Sequence, residues 1–155
     1  MLALILPLLV FSFLKFFGKN EFVVEPLFQT EASKLPEGCA LTIPYVISDN
    51  VYSFLKQNHE GDSLLIILYE RHSKDLSSSE TQLDRLKESF QVGTGLGLSH
   101  VSSSDESIRC GLALKPSLDL VLVDAKKRIR GQYSSTDRDE VDRLMTELDI
   151  ILKRY

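Results

Sequence analysis

Residues 118–133 read LDLVLVDAKKRIRGQY, and this stretch decides the fold of the chain. Its first part is almost continuously apolar up to Val123, a short charged turn follows, and apolar and polar residues then alternate from Arg128 to Tyr133. Continuous apolar runs are typical of strands that are covered on both faces, whereas alternation is typical of half-buried strands. We therefore predict a β-hairpin with a fully buried first strand and an alternating second strand.

Other apolar segments predict strands and helices on both sides of the hairpin. The run SLLIILY at residues 63–69 is continuously apolar and bounded by turn signals, so it predicts a central strand. Pro44 would interrupt a central strand, which makes residues 40–47 a predicted edge strand. Three helices are also predicted: one at residues 50–57, one that begins at a capping box at residues 77–80, and one at residues 137–154. A strand is predicted at residues 96–101, and a brief strand or turn at residues 108–114.

The size and charge of the chain limit its class. It has 155 residues, of which 26% are charged, and its formal net charge is −4. Once the apolar N-terminus is set aside, about 130 residues remain, which suffices for one domain with a single core. Nucleic-acid affinity comes mainly from cations that neutralise phosphates, and this chain has no basic balance. We predict one domain and no nucleic-acid partner.

The first 17 residues are almost wholly apolar, and Lys15 is their one charged side chain. A helix of this length spans about 25 Å, near the lower limit for crossing a bilayer. Lys15 lies near the end of the segment, from where its ammonium group could reach the membrane interface. No small-x-small cleavage motif follows, which favours an uncleaved transmembrane anchor at residues 1–17 in contact with membrane lipid. A cleaved signal peptide and a buried helix are the alternatives.

Residues 18–39 contain Pro26, Pro36 and scattered polar residues, so we predict a tether there and a folded domain at residues 40–155. The residues alone leave the membrane orientation open. Lys15 and Lys19 flank the C-terminal side of the apolar segment, and the positive-inside rule taken literally places the domain in the cytoplasm. Basic residues ahead of Met1 would reverse that orientation.

The predicted order of elements is strand, helix, buried strand, helix, strand, hairpin and helix. A buried strand that is joined through a helix to another strand, and is followed by an antiparallel hairpin and a covering helix, is the layout of a thioredoxin-like domain. We therefore predict an α/β fold with a thioredoxin-like central sheet and helices on both faces, preceded by an N-terminal transmembrane helix.

Short motifs in the last forty residues resemble the Sco/SenC family. They are Leu122-Val-Asp124, Arg128-Ile-Arg-Gly131-Gln-Tyr133, Ser134-Ser-Thr-Asp137 and Val141-Asp-Arg-Leu144. The apolar N-terminus with the following residues 17–28 is also similar to bacterial members. Sco/SenC proteins are membrane-anchored, thioredoxin-like copper chaperones for cytochrome c oxidase assembly. The resemblance therefore implies a single-pass protein of the bacterial inner membrane whose domain faces the periplasm.

The copper site of that family needs a CxxxC pair after the first buried strand and a histidine before a later strand, because thiolates and imidazole suit Cu(I) and Cu(II). In this sequence the cysteine positions fall near Lys74 and Ser78, and the histidine position falls near Pro116. The resemblance thus implies a degenerate copper site, with no metal ligand, no cofactor and no catalytic residue. We expect a non-catalytic protein that binds a protein partner during respiratory-complex assembly.

Cys39 and Cys110 carry the redox chemistry that the sequence allows. Two cysteines are too few for a disulfide framework, and these two form no CxxC motif. In an oxidising compartment they could form one disulfide, and otherwise they would remain unpaired thiols. A thiol–disulfide oxidoreductase or peroxidase-like enzyme that uses Cys39 or Cys110 is the alternative function.

Two other polar features receive no chemical role. His72 lies in the loop where the family's site would be, and a lone loop histidine is usually a solvated surface residue. Lys126, Lys127 and Arg128, together with Arg130, form a basic cluster at the predicted hairpin tip. Such a cluster most often serves solvation and edge protection, with contact to anionic lipid head groups as the alternative.

Overall fold

The computed structural model describes residues 6–7, 10–13, 15, 22–30, 35–56, 64–70, 76–90, 96–103 and 105–152. Helices and strands alternate through most of this range. In chain order they are α1 (Asp49–Lys56), β1 (Leu64–Glu70), α2 (Leu76–Ser89), β2 (Leu96–Ser102), α3 (Glu106–Gly111), β3 (Leu120–Asp124), β4 (Ile129–Tyr133) and α4 (Arg138–Leu152).

The four strands form one mixed sheet in the order β2-β1-β3-β4. Strands β1 and β2 are parallel and are joined through α2, whereas β3 is antiparallel to β1 and forms an antiparallel hairpin with β4. The predicted α/β class is therefore confirmed, and so are the central strand and the hairpin.

Both faces of the sheet are covered, which explains the continuous apolar run in β1. Leu65, Ile67 and Tyr69 point to a hydrophobic cluster that includes residues of α1 and of the segment before it (residues 22–30 and 35–48), called the N-terminal segment below. The intervening residues of β1 belong to a second cluster, on the side of α2 and α4. Successive side chains of a strand point to opposite faces, so a strand between two cores is apolar at every position.

The second strand of the hairpin differs from the prediction, because all five residues of β4 are buried. The N-terminal segment lies along the outer edge of β4, where the Leu27 N–H donates to the Ile129 carbonyl at 2.8 Å. On the α4 side, the Arg143 guanidinium donates to the Gln132 carbonyl at 3.0 Å. The polar residues of β4 alternate as predicted, but they are buried with partners instead of facing solvent.

Two other segments differ from the prediction. The predicted edge strand at residues 40–47 is wrong, because these residues are irregular: the backbone of Tyr45 bonds to Phe28 and that of Ile47 to Lys127. Residues 108–114, predicted as a brief strand or turn, contain most of helix α3, and a turn follows at Leu112 and Ala113. This helix begins after Asp105, whose carboxylate accepts a hydrogen bond from the Ser107 N–H at 2.8 Å, as is typical of an N-cap.

The N-terminus is described only in part. Among the described residues, no helix is both long enough and apolar enough to cross a membrane. Of the predicted anchor at residues 1–17, residues 6–7, 10–13 and 15 are helical, and the others lie outside the described residues. Within the predicted tether at residues 18–39, residues 24–28 pack on the domain, and Phe28 belongs to its core.

Candidate functional site

Cys39 and Cys110 are joined by a disulfide, with a Cα–Cα distance of 5.4 Å. Cys110 lies in α3, and Cys39 lies in the N-terminal segment, 71 residues earlier in the chain. Both cysteines are partly exposed. The disulfide therefore connects the predicted tether to the body of the domain. The structure thus pairs the two cysteines that the sequence left either paired or unpaired.

The disulfide is one part of a larger junction between the N-terminal segment and the domain. The Tyr45 hydroxyl donates to the Gly111 carbonyl at 2.7 Å, next to Cys110. The Gln29 amide donates to the Tyr45 carbonyl at 2.9 Å, which holds two parts of the segment together. Burial at this junction raises the pKa of Tyr45 above its ordinary value. The hydroxyl therefore remains a hydrogen-bond donor at physiological pH.

The positions that the resemblance predicts for copper ligands are described only in part. Lys74, like His72, lies outside the described residues, and so does the side chain of Ser78. Pro116 is exposed in the turn before β3. Within the described ranges, no three histidine, cysteine or acidic residues are grouped closely enough to hold a metal ion.

Asp124, at the end of β3, is the centre of a buried polar cluster that we did not predict. Its carboxylate is 1% exposed and accepts hydrogen bonds from the backbone N–H groups of Lys126 and Arg128, at 2.9 and 3.0 Å. The Arg128 guanidinium donates two more, at 2.9 and 2.7 Å, and Arg130 lies 3.3 Å away. Asp124 thus fixes the hairpin turn and the direction of both arginines.

The hairpin tip is less solvated than its sequence indicates. Lys126 is exposed, but the Lys127 ammonium pairs with Asp49 at the start of α1 and lies 5.5 Å from the centre of the Tyr52 ring. Cation–π contacts at this distance are weakly favourable. The tip therefore packs against α1 instead of being a free basic surface.

A cleft of about 500 Å³ lies on the opposite side of β4 from β3. Its walls are residues 24–28 of the N-terminal segment, the Arg130–Gln132 part of β4, and one side of α4. Lys115 and Leu118, in the turn before β3, complete the lining. This volume is within the range of natural small-molecule sites. The cleft combines residues from distant parts of the chain, so no local sequence signal predicts it.

Tyr133 and Arg143 organise the α4 side of the cleft. The fully buried Tyr133 donates its hydroxyl hydrogen to Glu147 at 2.6 Å, and the Arg143 guanidinium lies 4.6 Å from the centre of its ring. Arg143 also pairs with Glu140 and Glu147. Burial, together with the hydrogen bond to Glu147, raises the pKa of Tyr133 strongly. Tyr133 therefore stays neutral and acts as a donor.

Gly131 is required by the position of Tyr133. A Cβ atom at residue 131 would lie 1.9 Å from the Tyr133 hydroxyl oxygen, which no side chain could tolerate without a shift of the ring. The Gly131-Gln-Tyr133 motif in the sequence thus has a steric cause. The backbone of Gly131 forms part of the cleft wall.

No family model, curated protein or solved structure matches this chain. The class of protein is therefore defined by the observations above. It is an α/β domain with a four-stranded mixed sheet, one disulfide and a charged cleft beside the hairpin.

Proposed function

We propose that this chain is a membrane-anchored, thioredoxin-like protein of Sco/SenC type that binds a protein partner during assembly of a respiratory complex and performs no catalysis itself. The observation that carries the proposal is the strand order β2-β1-β3-β4, with parallel β1 and β2 joined through α2 and an antiparallel hairpin followed by α4. This order supports the proposal, because it matches the predicted thioredoxin-like order from the central strand to the last helix, although the predicted first strand at residues 40–47 is absent.

Two further observations support the proposal. Lys74, Ser78 and Pro116 stand near the family's ligand positions, and none of these side chains offers a thiolate or an imidazole. The Cys39–Cys110 disulfide is compatible with a periplasmic location, because disulfides persist in oxidising compartments. The protein would then contribute binding to oxidase assembly, without carrying copper.

Deletion of the gene in its host tests the cellular role. Membranes of the deletion strain should show a reduced a-type haem signal in reduced-minus-oxidised spectra, because unassembled oxidase is degraded. The wild-type gene and a Lys74→Ala, Ser78→Ala double variant should restore the signal equally, since neither side chain acts as a ligand. An unchanged haem signal in the deletion strain would reject a role in oxidase assembly.

Copper binding provides a biochemical test of the same proposal. The purified full-length protein should retain much less than one equivalent of Cu(I) in competition with bicinchoninate, because the residues at the ligand positions are too hard for this soft ion. A Lys74→Cys, Ser78→Cys, Pro116→His triple variant serves as the positive control. Stoichiometric binding by the wild-type protein would contradict the degenerate-site assignment.

The alternative is a thiol–disulfide oxidoreductase, and the partial exposure of Cys39 and Cys110 is the observation that favours it. An oxidoreductase and a binding protein differ in the reaction expected of the one cysteine that remains in a single-serine variant. In an oxidoreductase the Cys110→Ser variant would trap a mixed disulfide between Cys39 and its substrate, or the Cys39→Ser variant would trap one through Cys110. In a binding protein neither single variant should accumulate specific mixed disulfides above the level of the double variant.

A further inference from the structure

The cleft beside β4 contains a buried cation that the described residues do not fully compensate. Arg130 is 9% exposed, and Asp124 is the carboxylate within ion-pair distance of it in the described part of the chain. Asp124 already holds Arg128 at 2.7 Å, whereas its distance to Arg130 is 3.3 Å. One carboxylate thus forms ion pairs with two guanidinium groups, and its ion pair with Arg130 is the longer of the two.

Arg130 also has unused hydrogen-bonding capacity. One terminal nitrogen donates to the Val24 carbonyl and another to Asp124, but the buried Nε atom has no partner among the described residues. Burial of a guanidinium is costly unless its charge and its donors are matched. Arg130 is therefore a buried cation in the lining of the cleft, with a counterion that it shares with Arg128 and with a spare donor.

The carboxylates on the other wall of the cleft are better compensated. Glu140 and Glu147 share Arg143, and Glu147 also accepts the Tyr133 hydroxyl hydrogen. Their side chains are 33% and 20% exposed, so water can solvate them. Glu140 lies in the first turn of α4, where the helix dipole favours negative charge. Glu25, the third carboxylate in the lining, is exposed and can also be solvated. Among the buried side chains of the lining, Arg130 is therefore the charge with the weakest compensation.

The remaining lining indicates the shape of a ligand. Val24, Leu27 and Leu118 contribute apolar surface, and the exposed Lys115 contributes a second cation with no ion pair among the described residues. Together these groups offer positive charge next to a short aliphatic surface, and this combination complements a carboxylate with an aliphatic body.

We propose that this cleft binds an aliphatic carboxylate, with the carboxylate oxygens at Arg130 and Lys115 and the aliphatic body against Val24, Leu27 and Leu118. The same chemistry occurs in a short-chain fatty acid and at the C-terminus of an apolar peptide. The cleft is a ligand site that the Sco/SenC assignment does not require, so it stands or falls independently of the role in oxidase assembly.

Three probes of the same size and different head groups test the charge preference: pentanoate, pentanamide and pentylamine. They are titrated into the full-length ¹⁵N-labelled protein in mild detergent, and backbone and arginine Nε–H resonances are followed. Pentanoate should shift the Arg130 Nε–H signal and the backbone signals of Gly131 and Gln132. Pentanamide should bind at least about tenfold more weakly, because a charge-assisted hydrogen bond is lost. Equal binding of the amide, or tighter binding of the amine, would overturn the proposal.

Matched variants locate the site and distinguish the two sources. Lys115→Gln should raise the dissociation constant of pentanoate about threefold, the scale of an exposed ion pair, whereas Lys126→Gln, at the hairpin tip, should leave it unchanged. Equal effects of the two variants would place binding elsewhere and reject this site. The dipeptide acetyl-Leu-Leu, compared with its C-terminal amide, tests the peptide source. Tighter binding of acetyl-Leu-Leu than of pentanoate assigns the cleft to a peptide terminus, and tighter binding of pentanoate assigns it to a free acid.

Discussion

Loss of the Cys39–Cys110 disulfide is expected to lower the free energy of unfolding by about 4 kcal/mol, measured by denaturant unfolding of the full-length protein with and without a dithiol reductant. The disulfide spans 71 residues, and a crosslink of that length removes much of the conformational entropy of the unfolded chain. It also fixes the N-terminal segment, which supplies part of the core and part of the cleft wall.

Serine variants provide the controls for this experiment. Cys39→Ser, Cys110→Ser and the double variant should be destabilised to a similar extent, because removal of either partner already removes the crosslink. Reductant should have no effect on the double variant. If the double variant unfolded at the same denaturant concentration as the wild-type protein, the disulfide would have no stabilising role.

Replacement of Asp124 by alanine is expected to reduce the free energy of unfolding by about 3–5 kcal/mol, the range found when one partner of a buried ion pair is removed. The substitution leaves the 9%-exposed Arg130 without its carboxylate and removes the acceptor of the Lys126 and Arg128 N–H groups. Thermal and denaturant unfolding both measure the effect.

Asp84→Ala is the matched control for Asp124→Ala. Asp84 also pairs with a basic residue, Lys87, but its side chain is 66% exposed, so water replaces the lost partner. We expect a much smaller change in stability for this variant. An Asp124→Ala variant as stable as the Asp84→Ala variant would show that the cluster at the hairpin turn does not stabilise the fold.

The elements that the sequence predicts are those whose pattern is local. The apolar run in β1 reflects two cores that contact successive residues, and the stripe along α4 reflects one core that contacts every third or fourth residue. In both cases the burial of a residue follows from its spacing in the chain. The hairpin was predictable for the same reason.

The candidate site was not predictable, because it depends on contacts between distant residues. Arg130 in an alternating strand normally faces solvent, but Val24, 106 residues earlier in the chain, covers it. The short α3 was missed since its six residues carry no clear helical period, and its N-cap at Asp105 is the local signal that could have identified it. The Gly131-Gln-Tyr133 motif is visible in the sequence, but the reason for glycine becomes clear only when the position of the Tyr133 ring is known.

The attachment of the N-terminal segment to β4 has a consequence for where a partner can be reached. The proposed anchor ends at residue 17, and within the described residues the first hydrogen bond from the segment to β4 involves the Val24 carbonyl. Seven residues extend over at most about 25 Å, which is shorter than the diameter of a small domain. A domain with so short a tether would stay close to the lipid surface. Its partner would therefore have to be a membrane protein or a protein that binds at the membrane surface.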